Sequence, residues 1–179
     1  MSAPSSDTER KAPALAVADL LLELEQEAQA TRRVLERVPE DRLDWTPHPK
    51  SMTLGQLAMH IANLPGAIAE VSRAWFDVNT VIPRPTATSS GELLQALEES
   101  LARARSILSP LDDAHLLAPW QMMKGEEVIF AITRGELLRS VMLNHWYHHR
   151  GQLTVYLRLL DVPLPAIYGD SADERVFSG

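Results

Sequence analysis

The chain has no cysteine among its 179 residues, which excludes disulfides and thiolate ligands and leaves any bound metal to imidazole, carboxylate and water. It also lacks a Lys/Arg-rich run, and 17 basic against 24 acidic residues give a net charge of −7. Nothing in it is arranged to displace counterions from a phosphate backbone, so nucleic acid is not an expected partner. Apolar stretches are interrupted by Asp or Glu before they reach the length of a membrane span, so no membrane contact is expected either. No phosphate-cradling glycine loop, dinucleotide fingerprint or serine nucleophile elbow occurs. Residues 1–12 are small and polar, with acids mixed among the bases. They read as a disordered tail rather than a signal peptide, and a cytoplasmic location is the expectation.

What is there is the composition of one ordinary globular domain, 45% hydrophobic and 23% charged. A chain of this size buries about 70% of its unfolded surface and needs no staple. Apolar residues stepping by three and four mark four helices. The first runs from about Pro13 to Val38, the second from Thr53 to Asp77, the third from Gly91 to Leu108 and the fourth from Gly135 to Leu160. Thr53 with Gln56, Ser89 with Glu92, and Thr133 with Glu136 have the spacing of capping boxes at three of the starts. Four such seams are buried together most economically in an all-α four-helix bundle over residues 13–165, with 166–179 as a C-terminal tail. Pro65-Gly66 should kink or break the second helix one turn after His60. Residues 109–133 are too long for a bundle turn, and the β-branched and aromatic residues flanking Lys124-Gly125 suit a small hairpin, serving as a lid or as a cover for the bundle end. Trp45, in the proline-stiffened loop before the second helix, reads as a packed anchor.

The most informative stretch is His145-Trp-Tyr-His148-His149-Arg150-Gly151-Gln152. His145 and His149, one helical turn apart, fall on a stripe with Leu138, Val141, Gln152, Tyr156 and Leu159, which reads as the buried face of the fourth helix. Two imidazoles side by side on such a face suit a transition metal, because imidazole nitrogen ligates zinc, nickel, copper or iron. His60, on the seam Thr53, Leu57, His60, Leu64 of the second helix, is the best third ligand. His48 and His115 sit in turn-like contexts and are expected to be solvated. His148, at three residues from His145, is geometrically allowed in place of His149, but the stripe favours His149 and puts His148 at its edge. Gln152 is read as a structural hydrogen bond inside the bundle or as orienting a ligand, and Arg150 as a helix-surface ion pair.

The combination Trp45-Thr-Pro-His-Pro-Lys-Ser-Met-Thr-Leu-Gly-Gln-Leu-Ala-Met-His60, followed far downstream by His145-xxx-His149-Arg-Gly-Gln152, resembles the DinB/YfiT-like family of metal-dependent enzymes. The resemblance spans about residues 13–165. It implies a four-helix bundle holding a divalent metal, commonly nickel or zinc, and it transfers the ligand role to His60, His145 and His149. Relatives in that family include thiol S-transferases that use low-molecular-weight thiols such as bacillithiol, and mycothiol-dependent isomerases. The implied function is a metal-dependent transferase using a small thiol. A metal-dependent hydrolase or a non-catalytic, stress-related metal- or ligand-binding protein are the alternatives. A homodimer and a small-molecule substrate are also implied.

Overall fold

The computed structural model describes residues 16–81, 83 and 85–176. Helix α1 (Val17–Leu35) buries Val17, Leu20, Leu24, Ala28, Thr31, Val34 and Leu35, close to the expected seam. The start expected at Pro13 lies outside the described residues. Ala16 gives α1 no side-chain cap; instead the Val17 N–H donates to the Asp113 carboxylate at 2.9 Å, so the orphan donor is met by a residue far away in sequence.

Helix α2 (Leu54–Val71) opens with the reciprocal Thr53/Gln56 capping box. It buries residues on nearly every side and forms the centre of the core. It runs unbroken through Pro65, so the break that was one of the two outcomes expected there does not occur, because other groups satisfy what proline disrupts. Proline cannot donate to the carbonyl four residues before it. That carbonyl belongs to Ile61, and it accepts the indole N–H of Trp146 at 3.0 Å. The next amide, Gly66, donates to Ser100 Oγ at 2.8 Å, and that hydroxyl donates in turn to Asn63 O at 3.0 Å.

The chain ends α2 six residues earlier than expected, and Phe76–Asp77 form strand β1 instead. Helix α3 (Ser90–Leu108) follows. At its start Ser89 Oγ accepts from the Glu92 N–H, while the Glu92 carboxylate reaches past Ser89 to the Thr88 amide and hydroxyl. The pairs Gly55 with Thr86 and Gly66 with Ser100 advance together, so α2 and α3 run parallel. Glu25 with Arg105 and Arg32 with Glu98 run oppositely, so α1 and α3 are antiparallel. The long return of the chain therefore begins between α2 and α3, a crossover that spacing alone did not reveal.

After α3 come the short helix α4 (Asp113–Leu117), strand β2 (Pro119–Lys124) and strand β3 (Glu127–Thr133). Strands β2 and β3 form the expected hairpin, turning at Gly125 with φ +62, where a side chain would be strained. Strand β1 adds to β2 in parallel, so the order is β1-β2-β3 and the fold is mostly helical with a small sheet rather than all-α. The start of the hairpin and the residue after it cover the end of α2. The buried Trp120 indole donates to Val71 O at 3.0 Å and Arg134 Nε to Ser72 O at 2.8 Å, which satisfies terminal carbonyls of that helix. Val71 lies eleven residues beyond His60, about 16 Å of helix rise.

The last helical run is not one regular helix. Helix α5 (Arg134–Leu137), capped by the Thr133/Glu136 box, passes into a π-helical stretch Leu138–Asn144 and then into α6 (His145–Leu159). A wider π turn shifts every later side chain around the axis. The deeply buried line is consequently Leu138, Met142, Trp146, Arg150, Leu153 and Leu157. The expected stripe through Val141, His145 and His149 is half-buried, and its members Gln152 and Leu159 are exposed.

Two glycines give opposite outcomes. A methyl at Gly66 would meet Ser100 O at 2.7 Å and Ser100 Cα at 3.0 Å. Gly66→Ala is expected to lower unfolding free energy by about 1–3 kcal/mol. Gly151 has nothing within 4 Å of such a methyl, so Gly151→Ala is expected to stabilise by about 0.5–1 kcal/mol. Urea denaturation of both variants reads this out, and a neutral Gly66→Ala would show that α2 and α3 do not approach so closely.

Candidate metal centre

His60 is carried by α2 and His145 and His149 by the first turn and a half of α6. The two helices run antiparallel, since Ile61 meets Trp146 and Met52 O accepts from the Tyr156 hydroxyl at 3.4 Å. The Trp146 bond ties the residue after His60 to the residue after His145, so it sets the height of one helix against the other at the histidines. The rings converge. Their centroids are 4.4 Å apart for His145 and His149, 4.7 Å for His60 and His149, and 5.5 Å for His60 and His145.

One ring nitrogen from each of the three lies within 4.8 Å of the others, and all three residues are half-buried. Nε2 of His145 and Nε2 of His149 are 2.5 Å apart. Two imidazole nitrogens on a tetrahedral metal at the usual Zn–N length of about 2.0–2.1 Å sit about 3.3 Å apart. A small opening of the pair therefore brings both lone pairs onto one cation. Among the described residues this is the group whose donor chemistry suits a transition metal: three imidazoles and no carboxylate.

The electrostatics match. Burial holds His145 below the ordinary histidine value, and His149 and His148 beside it push the same way. Burial also lowers His149, against the hydrogen bond with Gln152, which acts in the opposite direction. Both rings are thus kept neutral, with lone pairs available at neutral pH. Nδ1 of His149 lies 2.7 Å from Oε1 of Gln152. Gln152 is exposed and turned toward His149 rather than into the bundle.

The remaining histidines stay outside the group. His148 is exposed, its ring 5.1 Å from that of His149. His48 is exposed in a turn and accepts the Lys50 amide. His115, read as a loop residue, is exposed but belongs to α4, where it forms a capping box with Asp112. Trp45 does pack, edge-on to Tyr156 at 5.7 Å between centroids. This aromatic pair lies toward the start of α2, two helical turns along α6 from His149.

Arg150 differs most from expectation. It is 3% exposed, not on the helix surface. Its guanidinium pairs with Glu27 at 2.5 Å, donates to Thr31 Oγ1 at 3.1 Å and lies 5.3 Å from the ring centres of both Tyr147 and Tyr168. Beside it the Tyr147 hydroxyl donates to Glu23 at 2.8 Å, and burial together with that bond holds the phenol well above its usual value. Tyr168 donates to Glu27 at 2.6 Å, and Glu174 accepts from Arg33 and from the Ala166 amide, so the described part of the C-terminal segment packs against α1. The sequence carried no local sign of this, because Glu27 and Arg150 are 123 residues apart.

A mostly helical chain in which two antiparallel helices bring three histidines together is a candidate metal protein in architecture. The chain belongs to the DinB family, which it matches over residues 8–175. It is 26% identical over 150 residues to the uncharacterised protein YrdA of Bacillus subtilis (strain 168), covering 84% of this chain and 86% of that one. Its fold is similar to the crystal structure of a DinB-like protein from Bacillus cereus ATCC 10987, with a TM-score of 0.70 at 22% identity over 87% of this chain and 99% of the other. A DinB-like protein of Bacillus subtilis, YjoA, gives a TM-score of 0.62 at 20% identity over 83% and 96%. Among the described residues no helix is long and apolar enough to cross a membrane.

The lowered histidine values have a consequence for the metal-free protein. As pH falls below the ordinary value near 6.5, the unfolded chain takes up these protons before the folded chain does. The stability contributed by the two neutral rings is present above that pH and lost as pH falls toward the folded values. Denaturation midpoints of chelator-treated protein at pH 7.5 and 5.5 should differ more for the wild type than for a His145→Gln, His149→Gln double variant. Equal losses would show that the two rings are not held neutral by the fold.

Proposed function

We propose that His60, His145 and His149 hold one divalent metal ion, nickel or zinc, and that the protein is a metal-dependent transferase acting with a low-molecular-weight thiol. The observation that carries the metal reading is the convergence of three ring nitrogens from α2 and α6 within 4.8 Å. Three imidazoles leave at least one coordination position open, which is the arrangement of a catalytic rather than a closed structural site. A metal bound there supplies a Lewis acid that lowers the pKa of a thiol or water placed against it.

The chain's own groups prepare that position. Burial keeps His145 and His149 unprotonated, and the Trp146 bond to Ile61 holds the α6 pair level with His60. The Trp45–Tyr156 pair offers an apolar wall toward one end of the site, suited to the body of a small substrate. No cysteine exists in the chain to act as the nucleophile, so the thiol arrives as a cosubstrate. The thiol preference itself is supported by the family resemblance. The reading also takes the protein to be a cytoplasmic homodimer acting on a small molecule, on the same support.

Metal analysis tests the first half. Purified protein should carry about one divalent metal per chain. Substituting His60, His145 or His149 by Ala should abolish high-affinity binding in a calorimetric titration, while His148→Ala keeps it. Full occupancy in any of the first three removes that residue from the ligand set. The thiol half is read from cobalt-substituted protein, whose visible spectrum should gain sulfur-to-metal absorption on adding cysteine, glutathione or bacillithiol. A spectrum unchanged at saturating thiol would favour hydrolysis or simple binding.

A further inference from the structure

The contact between Gln152 and His149 has a chemical direction that the three-histidine geometry imposes. In α6, Gln152 is three residues after His149 and on the same face, so its amide reaches back over the ring. The ring presents Nδ1 to Gln152 Oε1 at 2.7 Å and Nε2 to His145 at 2.5 Å. A neutral imidazole has one N–H and one lone pair. If Nε2 is the atom that faces a cation, the proton must reside on Nδ1, and the partner of Nδ1 must be an acceptor. The amide oxygen of Gln152 is that acceptor.

We propose that Gln152 is a positioning residue: it accepts the Nδ1–H of His149, holding this ring in the tautomer and orientation whose Nε2 lone pair points at the metal position. This rests on the metal reading above. Metal-ligating histidines are commonly supported in this way, and loss of such a partner typically weakens binding 10- to 100-fold. Gln152 is exposed, so water competes for Nδ1 when the amide is removed. The expected loss is therefore near the lower limit, about tenfold. A carboxylate in the same place is a stronger acceptor and polarises the ring further. Gln152→Glu should bind at least as tightly as the wild type, whereas Gln152→Leu should not. The fold does not depend on this side chain, which lies outside the buried line of α6, so both variants should remain folded.

Two measurements keep the inference separate from the reading beneath it. Zinc titration of the wild type, Gln152→Leu and Gln152→Glu should rank Glu at or above wild type and Leu about tenfold below. Nitrogen-15 NMR of the metal-free proteins, above the pH at which His149 protonates, should show a protonated Nδ1 in the wild type. The Leu variant should shift toward the Nε2–H tautomer that free imidazoles prefer in water. Equal zinc affinities for wild type and Leu, or a wild-type His149 with its proton on Nε2, would overturn the role of Gln152. A wild type that binds no zinc would overturn the metal reading and with it this role, whatever the tautomer.

Discussion

The geometry of the candidate site depends on a carbonyl that a proline leaves without a partner. Pro65 removes the amide that would have bonded Ile61 O, deep in α2, and an unmade backbone bond there would cost about 1–3 kcal/mol. The Trp146 indole fills the place at 3.0 Å, and Trp146 is 0% exposed. One bond therefore does two things. It keeps α2 helical through its proline, and it registers α6 against α2 at the positions next to His60 and His145. The neighbouring Gly66–Ser100 contact does the equivalent on the other flank, drawing α3 close enough that no side chain fits at 66.

The buried line of α6 that carries Trp146 also makes polar contacts to α1. Arg150 reaches Glu27 and Thr31 of α1 between two tyrosines, and Tyr147 reaches Glu23. A buried guanidinium is expensive unless paired and hydrogen-bonded, and here it is both. Its directionality fixes rotation about the helix axis, which apolar packing alone specifies less sharply. With Trp146 locked into α2 and Arg150 into α1 along one buried line, His145 and His149 fall on the half-buried face beside that line. The π turn just before His145 makes this possible, since an unbroken α-helix from Arg134 would present a different face at the same positions.

Much of this was legible in the chain because it is local. The α1 seam, the Thr53 and Thr133 caps, the hairpin around Gly125 and the four-residue spacing of the α6 histidines all follow from short-range rules. The seam of the last helix was misplaced by one position because periodicity was carried through Leu138–Asn144 at 3.6 residues per turn, where the backbone is wider. The parallel course of α2 and α3, strand β1 and the burial of Arg150 depend on partners far away in sequence, which no spacing encodes. One long-range feature did leave a sign. A proline four residues after Ile61 announces an orphan acceptor in a buried helix, and a tryptophan beside a candidate ligand is a donor in search of one.

X-ray absorption spectroscopy of the metal-loaded protein tests the central claim most directly, because it counts the imidazoles on the metal without reference to any activity. The account predicts three nitrogen scatterers at about 2.0–2.1 Å, with the multiple-scattering pattern of imidazole rings and the remaining shell made of light solvent atoms. A shell of oxygen atoms with one imidazole or none would contradict it.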